Sequence, residues 1–146
     1  MRGERRKPTN EMKLELASRS VNEALARAAV SAMATQLDPK LDELTELRTA
    51  VSEAVTNAII HGYRGSEGTV YINCRCYADR TMVVKIKDKG CGIENIEQAR
   101  EPLYTGDPSG ERGGMGFAIM ESFCDRVKVT SKPNAGTTVT LTKRFR

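Results

Sequence analysis

Val51-Ser52-Glu53-Ala54-Val55-Thr56-Asn57-Ala58-Ile59-Ile60-His61-Gly62-Tyr63 is the stretch from which the fold of this chain is worked out. Glu53 and Asn57 stand four residues apart and His61 four further on, so on a helix all three share one face. Val51, Val55 and Ile59 form an adjacent apolar stripe, and Ala54, Ala58 and Ile60 fill much of the remainder. Any solvated helix carries a polar stripe. On a helix this apolar, the stripe is expected to line a cleft.

Upstream, Asp38-Pro39 reads as an N-cap followed by proline at the first helical position. From there Leu41, Leu44, Leu47, Val51, Val55 and Ile59 keep helical spacing to an end near Gly62. Ser20-x-x-Glu23 has the form of a capping box, opening a helix whose apolar residues are Val21, Leu25, Ala28, Ala29 and Met33. Met12, Leu14 and Leu16 alternate with Lys13 and Glu15, the pattern of a half-buried strand. Residues 1–10 are basic and lead into no apolar signal region, so they read as a disordered tail or cloning scar. Residues 11–146 read as one domain.

Downstream, Gly68 to Tyr77 and Thr81 to Asp88 are expected strands joined by a tight Asp79-Arg80 turn. Gly90 to Gly114 loses periodicity and reads as a long loop or lid. A helix is expected from Met115 to Cys124, then strands Val127 to Ser131 and Thr137 to Thr142 about a Pro133–Gly136 turn. The order β-α-α-β-β-loop-α-β-β predicts an α+β fold, with helices on one face of a mostly antiparallel sheet.

Composition bounds the function. The 146 residues are 39% apolar and 29% charged, which favours a globular chain with a real core. No apolar run reaches the roughly 18 residues that span a bilayer, so a cytoplasmic protein with no membrane contact is expected. The net charge of +4 belongs mostly to the tail, where Arg2, Arg5, Arg6 and Lys7 against Glu4 carry +3 and leave +1 elsewhere. That, with 5% aromatics and no Trp, argues against direct nucleic-acid binding. Cys74 and Cys76 lie two apart in a strand, on one face, and read as small core residues rather than zinc ligands.

Two further segments carry chemistry. Asp88-Lys89-Gly90-Cys91-Gly92 follows a strand directly; its glycines admit close backbone approach, and Asp88 offers an acceptor suited to an exocyclic amine such as that of adenine. Gly110-Glu111-Arg112-Gly113-Gly114-Met115-Gly116 runs into a helix, where exposed amides suit an anion such as phosphate. It lacks the Lys-[Ser/Thr] of a P-loop and does not follow the first strand of a Rossmann unit.

Taken in order, the E-x-x-x-N helix, the hairpin ending D-x-G-x-G, the lid, the G-x-G before a helix and Gly136-Thr137-Thr138 resemble the nucleotide site of the GHKL ATPases. That superfamily holds histidine kinases, gyrase-type topoisomerases, MutL proteins and a class of heat-shock chaperones. The resemblance covers nearly the whole chain after residue 10. Val51 to Tyr63 and Gly114 to Phe123 resemble the bacterial anti-sigma factor serine kinases in particular, above all their sporulation branch.

The resemblance implies a two-layer sandwich of the GHKL (Bergerat) type on a mostly antiparallel mixed sheet. It implies Glu53 as general base, Asn57 as the ligand of a Mg²⁺ that bridges the phosphates of ATP, and ADP as product. Asp88 is implied for the adenine amine, supported by Thr137, with Gly90 and Gly92 beside it. Gly110, Gly113, Gly114, Met115 and Gly116 are implied around the phosphates, and Arg112 is placed to reach the γ-phosphate. The implied partners are a sporulation sigma factor of the sigma F type, an anti-anti-sigma protein phosphorylated on serine, and a second copy of the chain in a homodimer. Arg27, in Asn22-Glu23-x-x-Ala26-Arg27, is the candidate partner contact. His61 is the only histidine, which leaves no separate phosphoacceptor histidine, and 146 residues leave no room for the second domain that gyrase and MutL proteins use. A kinase acting in trans is expected; the alternatives are a stress-response sibling controlling another sigma factor, or a nucleotide-gated binding module.

Overall fold

The computed structural model describes residues 6–101 and 116–146. Strand β1 (Asn10–Ala17) is followed by helix α1 (Asn22–Ala34), a 3-10 turn (Thr35–Leu37) and helix α2 (Leu41–Thr56), which continues as a π-helix over Asn57–Gly62. Strands β2 (Thr69–Cys76) and β3 (Thr81–Asp88), short helix α3 (Ile96–Arg100), helix α4 (Gly116–Phe123) and strands β4 (Arg126–Lys132) and β5 (Gly136–Arg144) complete it.

The sheet runs β1-β2-β3-β5-β4. All four described pairings are antiparallel, so the parallel component of the expected mixed sheet is not found among them. Hairpins join β2 to β3 and β4 to β5, and the helical crossover through α4 returns the chain to the edge beyond β5.

Strand periodicity builds the core. Val70, Ile72, Cys74 and Cys76 of β2, Met82, Val84 and Ile86 of β3, and Val139 and Leu141 of β5 point inward. Helix α2 lies over them with Leu47, Ala50, Val51, Ala54 and Val55 at most 1% exposed. Each fully buried Leu or Val there contributes about 1.5–3 kcal/mol. Cys74 packs as expected, and burial pushes its thiol up to about 12. The same period of two puts Asp88 in phase with Met82, Val84 and Ile86, and Thr137 in phase with Val139 and Leu141. A carboxylate and a hydroxyl thus sit on the core face, facing each other in register.

Several local expectations shift. Helix α1 buries Ala26, Val30, Met33 and Ala34, whereas Val21 and Leu25 are 68% and 51% exposed. The helix is apolar on two faces, and α2 and the sheet cover only one of them. The Ser20 capping box does not form: the α1 cap carries no side-chain bond, and Glu23 instead accepts from Ser52 at 2.6 Å. Helix α2 starts after Lys40, whose N–H donates to Glu43, because Asp38 is left-handed at φ 51° and cannot lead straight into a helix. The expected loop after Gly92 contains α3, capped by Asn95 accepting from the Gln98 N–H at 3.0 Å. Order also begins before residue 11. Asn10 pairs with Cys76, the Thr9 N–H donates to the Cys76 carbonyl, and Arg6 pairs with Asp79 while stacking on Tyr77.

Candidate functional site

A cavity of about 510 Å³ opens between the end of α2, the β3–α3 segment, the start of α4 and the β4–β5 turn. Asn57, His61, Asp88, Gly92, Gly116 and Thr137 line it, with Ile86, Phe117 and Val139 supplying apolar wall. The volume lies within the ordinary range of small-molecule clefts.

At the inner end Asp88 is 4% exposed. Burial raises its carboxyl above the ordinary value, against the opposing pull of the Gly90 and Thr137 backbone N–H groups. The Gly90 N–H donates to Asp88 Oδ1 at 2.9 Å. A buried carboxylate whose remaining acceptor capacity faces a cavity is suited to an N–H donor. Thr137 is 9% exposed beside it. Its Oγ1 lies 2.7 Å from Ser131 Oγ, which donates to the Gly136 carbonyl and accepts the Ile93 N–H.

At the other end Glu53 and Asn57 converge on the first residue of α4. A Cβ on Gly116 would lie 3.3 Å from both Glu53 Oε1 and Asn57 Nδ2, so a side chain there would crowd both groups. The π-helical turn widens the helix over Asn57–Gly62 and keeps Asn57 and His61 on the cavity wall. Such turns recur at functional sites. The carbonyls it releases are taken up by the β3–α3 loop: the Cys91 N–H donates to Gly62 at 2.8 Å and the Cys91 thiol to His61 at 3.2 Å.

The expected residues therefore divide. Asn57, Asp88, Gly92, Gly116 and Thr137 share one cavity, and Glu53 stands at its margin. Gly90 does not line the cavity; its Cβ position runs into the Gly62 carbonyl, so glycine there serves contact between loop and helix. Arg27 lies away from it on α1, paired with Glu23 at 3.2 Å and donating to Ser52 at 3.4 Å. Gly110, Arg112, Gly113, Gly114 and Met115 lie outside the described residues. Sequence reasoning missed Ser131 behind Thr137; its position at the end of β4, before Pro133-Asn134, was the available signal.

The model of the histidine kinase-like ATPase domain matches residues 13–143, in keeping with helices over an antiparallel sheet and a cavity that ends on a buried carboxylate. The chain belongs to that family, and ATP is the nucleotide an ATPase domain binds. Among curated relatives, the anti-sigma F factor of Oceanobacillus iheyensis is 55% identical over 137 residues, covering 93% of each chain. That of Anoxybacillus flavithermus is 56% identical with the same coverage, and that of Clostridium acetobutylicum 50% identical over 93% of this chain and 94% of its own. Identity at that level places the chain within the anti-sigma F factor family. A solved structure of the RsbU and RsbW domains of a Mycobacterium tuberculosis protein superposes with a TM-score of 0.68 at 20% identity. It covers 94% of this chain, which spans 32% of that one, and it supports the fold alone.

Proposed function

We propose that the chain is an anti-sigma factor and protein-serine kinase of the cytoplasm. In this reading it binds ATP with Mg²⁺, sequesters a sporulation sigma factor of the sigma F type, and phosphorylates a serine of its anti-anti-sigma antagonist. It acts as a homodimer, and residues 11–146 form its one kinase domain. The observation that carries the reading is a single cavity with a buried base-type acceptor, Asp88, at one end and the Glu53–Asn57 pair at the other. The relatives' name, anti-sigma F factor, supports the sigma partner.

Asp88 accepts the adenine amine, and Thr137 supports it. With its amide oxygen turned toward the gap that Glu53 also faces, Asn57 would hold Mg²⁺ together with the substrate phosphates. Bound there, Mg²⁺ neutralises phosphate charge. Glu53 takes the proton of the acceptor serine hydroxyl, a task worth about 10²–10⁴ in rate. Gly116, the first residue of α4, lines the same cavity, and a helix N-terminus there would favour phosphate. Arg27, which donates to Ser52 at 3.4 Å on the α1 side of α2, is the proposed partner contact.

Incubation with ATP, Mg²⁺ and the anti-anti-sigma protein should yield phosphoserine. Glu53→Gln should keep nucleotide and sigma binding while transfer drops at least about 100-fold; Asn57→Ala should lose the Mg²⁺-dependent part of nucleotide affinity. Sigma binding gated by nucleotide, with no phosphoserine from the wild type, would instead identify a binding module.

A further inference from the structure

Thr137 lines the cavity beside Asp88, but a hydroxyl is ambiguous: it can offer a ligand its proton or its lone pairs. The neighbours of Ser131 remove the ambiguity. Ser131 Oγ has one proton and two lone pairs. The proton goes to the Gly136 carbonyl at 3.0 Å, and one lone pair receives the Ile93 N–H at 2.8 Å. The 2.7 Å contact with Thr137 Oγ1 is then satisfied only if Thr137 donates into the second lone pair. With its proton spent on Ser131, Thr137 has only lone pairs left for the cavity. Asp88 next to it already accepts the Gly90 N–H at 2.9 Å and is also an acceptor. Thr137 and Asp88 therefore present two acceptors to the inner end.

We infer that Ser131, which does not itself line the cavity, is a specificity-determining positioning residue: by taking the Thr137 proton it makes the pocket select an amino over a keto group on the base. The inference rests on the proposed adenine site and extends it to how adenine is told from a 6-keto purine. A keto oxygen would meet lone pairs from both Thr137 and Asp88. Without the Ser131 hydroxyl, Thr137 is free to turn its proton to the ligand and accommodate such an oxygen, while Asp88 still opposes it.

The test is the affinity ratio of ADP to inosine diphosphate, by calorimetry. Wild type should favour ADP by about 100-fold or more. Ser131→Ala should lower that ratio by about tenfold, the size of one neutral hydrogen bond, and Ser131→Thr, which keeps the hydroxyl, should hold it within about threefold. Thr137→Val alone, which does not need Ser131→Ala to fold, should lower the ratio at least as far, and an unchanged ratio would overturn the inference. Adding Ser131→Ala to Thr137→Val should change the ratio no further, because Ser131 acts only through Thr137. Loss of affinity for both nucleotides in equal proportion with Ser131→Ala would make Ser131 merely structural and overturn the inference. So would equal shifts with Ser131→Ala and Ser131→Thr. A wild type that binds ADP tightly in either case leaves the ATP site standing; a wild type that binds no ADP removes the site and the inference together.

Discussion

Asp88→Asn keeps the shape of the side chain and changes what its two outer atoms can do. In the native protein both are acceptors. One receives the Gly90 N–H at 2.9 Å, the Thr137 N–H also bonds the carboxylate, and the remaining acceptor capacity is available to the cavity at a residue only 4% exposed. The replacement amide must turn its NH₂ either to Gly90 or to the ligand amine, and in both orientations a donor meets a donor. The loss is a hydrogen bond to a charged group, about 1.5–3 kcal/mol, which is about 10- to 150-fold in affinity. Stability should move the other way. Burial holds the folded-state carboxyl above its ordinary value of 3.8, so the folded chain binds more protons than the unfolded chain just above that pH. The contribution of Asp88 to stability is therefore present below the ordinary value, is lost as pH rises through the raised one, and stays lost at neutral pH. Without nucleotide, Asp88→Asn should melt higher than wild type at pH 7, and the gain should shrink as pH falls toward 4. Calorimetric titration with ADP and thermal melts between pH 4 and 8 read both effects. Affinity within about threefold of wild type would refute the assignment of Asp88 to the base, and a melting temperature well below wild type at pH 7 would show that the carboxylate is structural.

Gly90→Ala drives a methyl into the Gly62 carbonyl, so the β3–α3 loop and the π-helical turn must separate. A loss of about 1–3 kcal/mol in urea unfolding is expected, together with weaker nucleotide binding, and unchanged stability would contradict the packing. Lys143, 7% exposed, donates to Glu46 at 3.0 Å and to the Phe123 carbonyl at the end of α4. Lys143→Met should cost about 1–3 kcal/mol, the price of one unpaired carbonyl. It should fall short of the loss from breaking a fully buried pair because Glu46, 39% exposed on its side chain, can turn to water.

How legible the fold was depended on whether a residue obeyed one periodicity or two. The five strands and helices α2 and α4 came through because each carries a clean period on one face, and Asp88 was legible as an acceptor at the end of β3, whereas Thr137 entered only through the resemblance. Helix α1 was misread because Val21, Leu25 and Ala28 form a second apolar stripe, and only packing against α2 shows which stripe is buried. Helix α3 escaped because five residues are too few to show a period, although Asn95 was a readable cap. Glu53 and Asn57 were legible as a stripe. Their meeting with Gly116 was not, because 59 positions of chain separate Asn57 from that residue and only the tertiary fold closes the gap.

The D-x-G-x-G glycines show the limit most clearly. From sequence, a glycine beside a candidate ligand residue is naturally assigned to the ligand. Gly90 instead admits the Gly62 carbonyl, and Gly92, left-handed at φ 75°, approaches the Lys132 carbonyl. Cys91 between them donates to Gly62 and accepts from Asn134 at 2.6 Å. Three consecutive residues thus bind the end of α2 on one side and the β4–β5 turn on the other. The motif lies at the junction of the two elements that carry Asn57 and Thr137, and its glycines set the distance between them. Cavity width is then a backbone property. A side-chain substitution at either wall can change what the site binds while the spacing between its two ends stays under the control of Gly90 and Gly92.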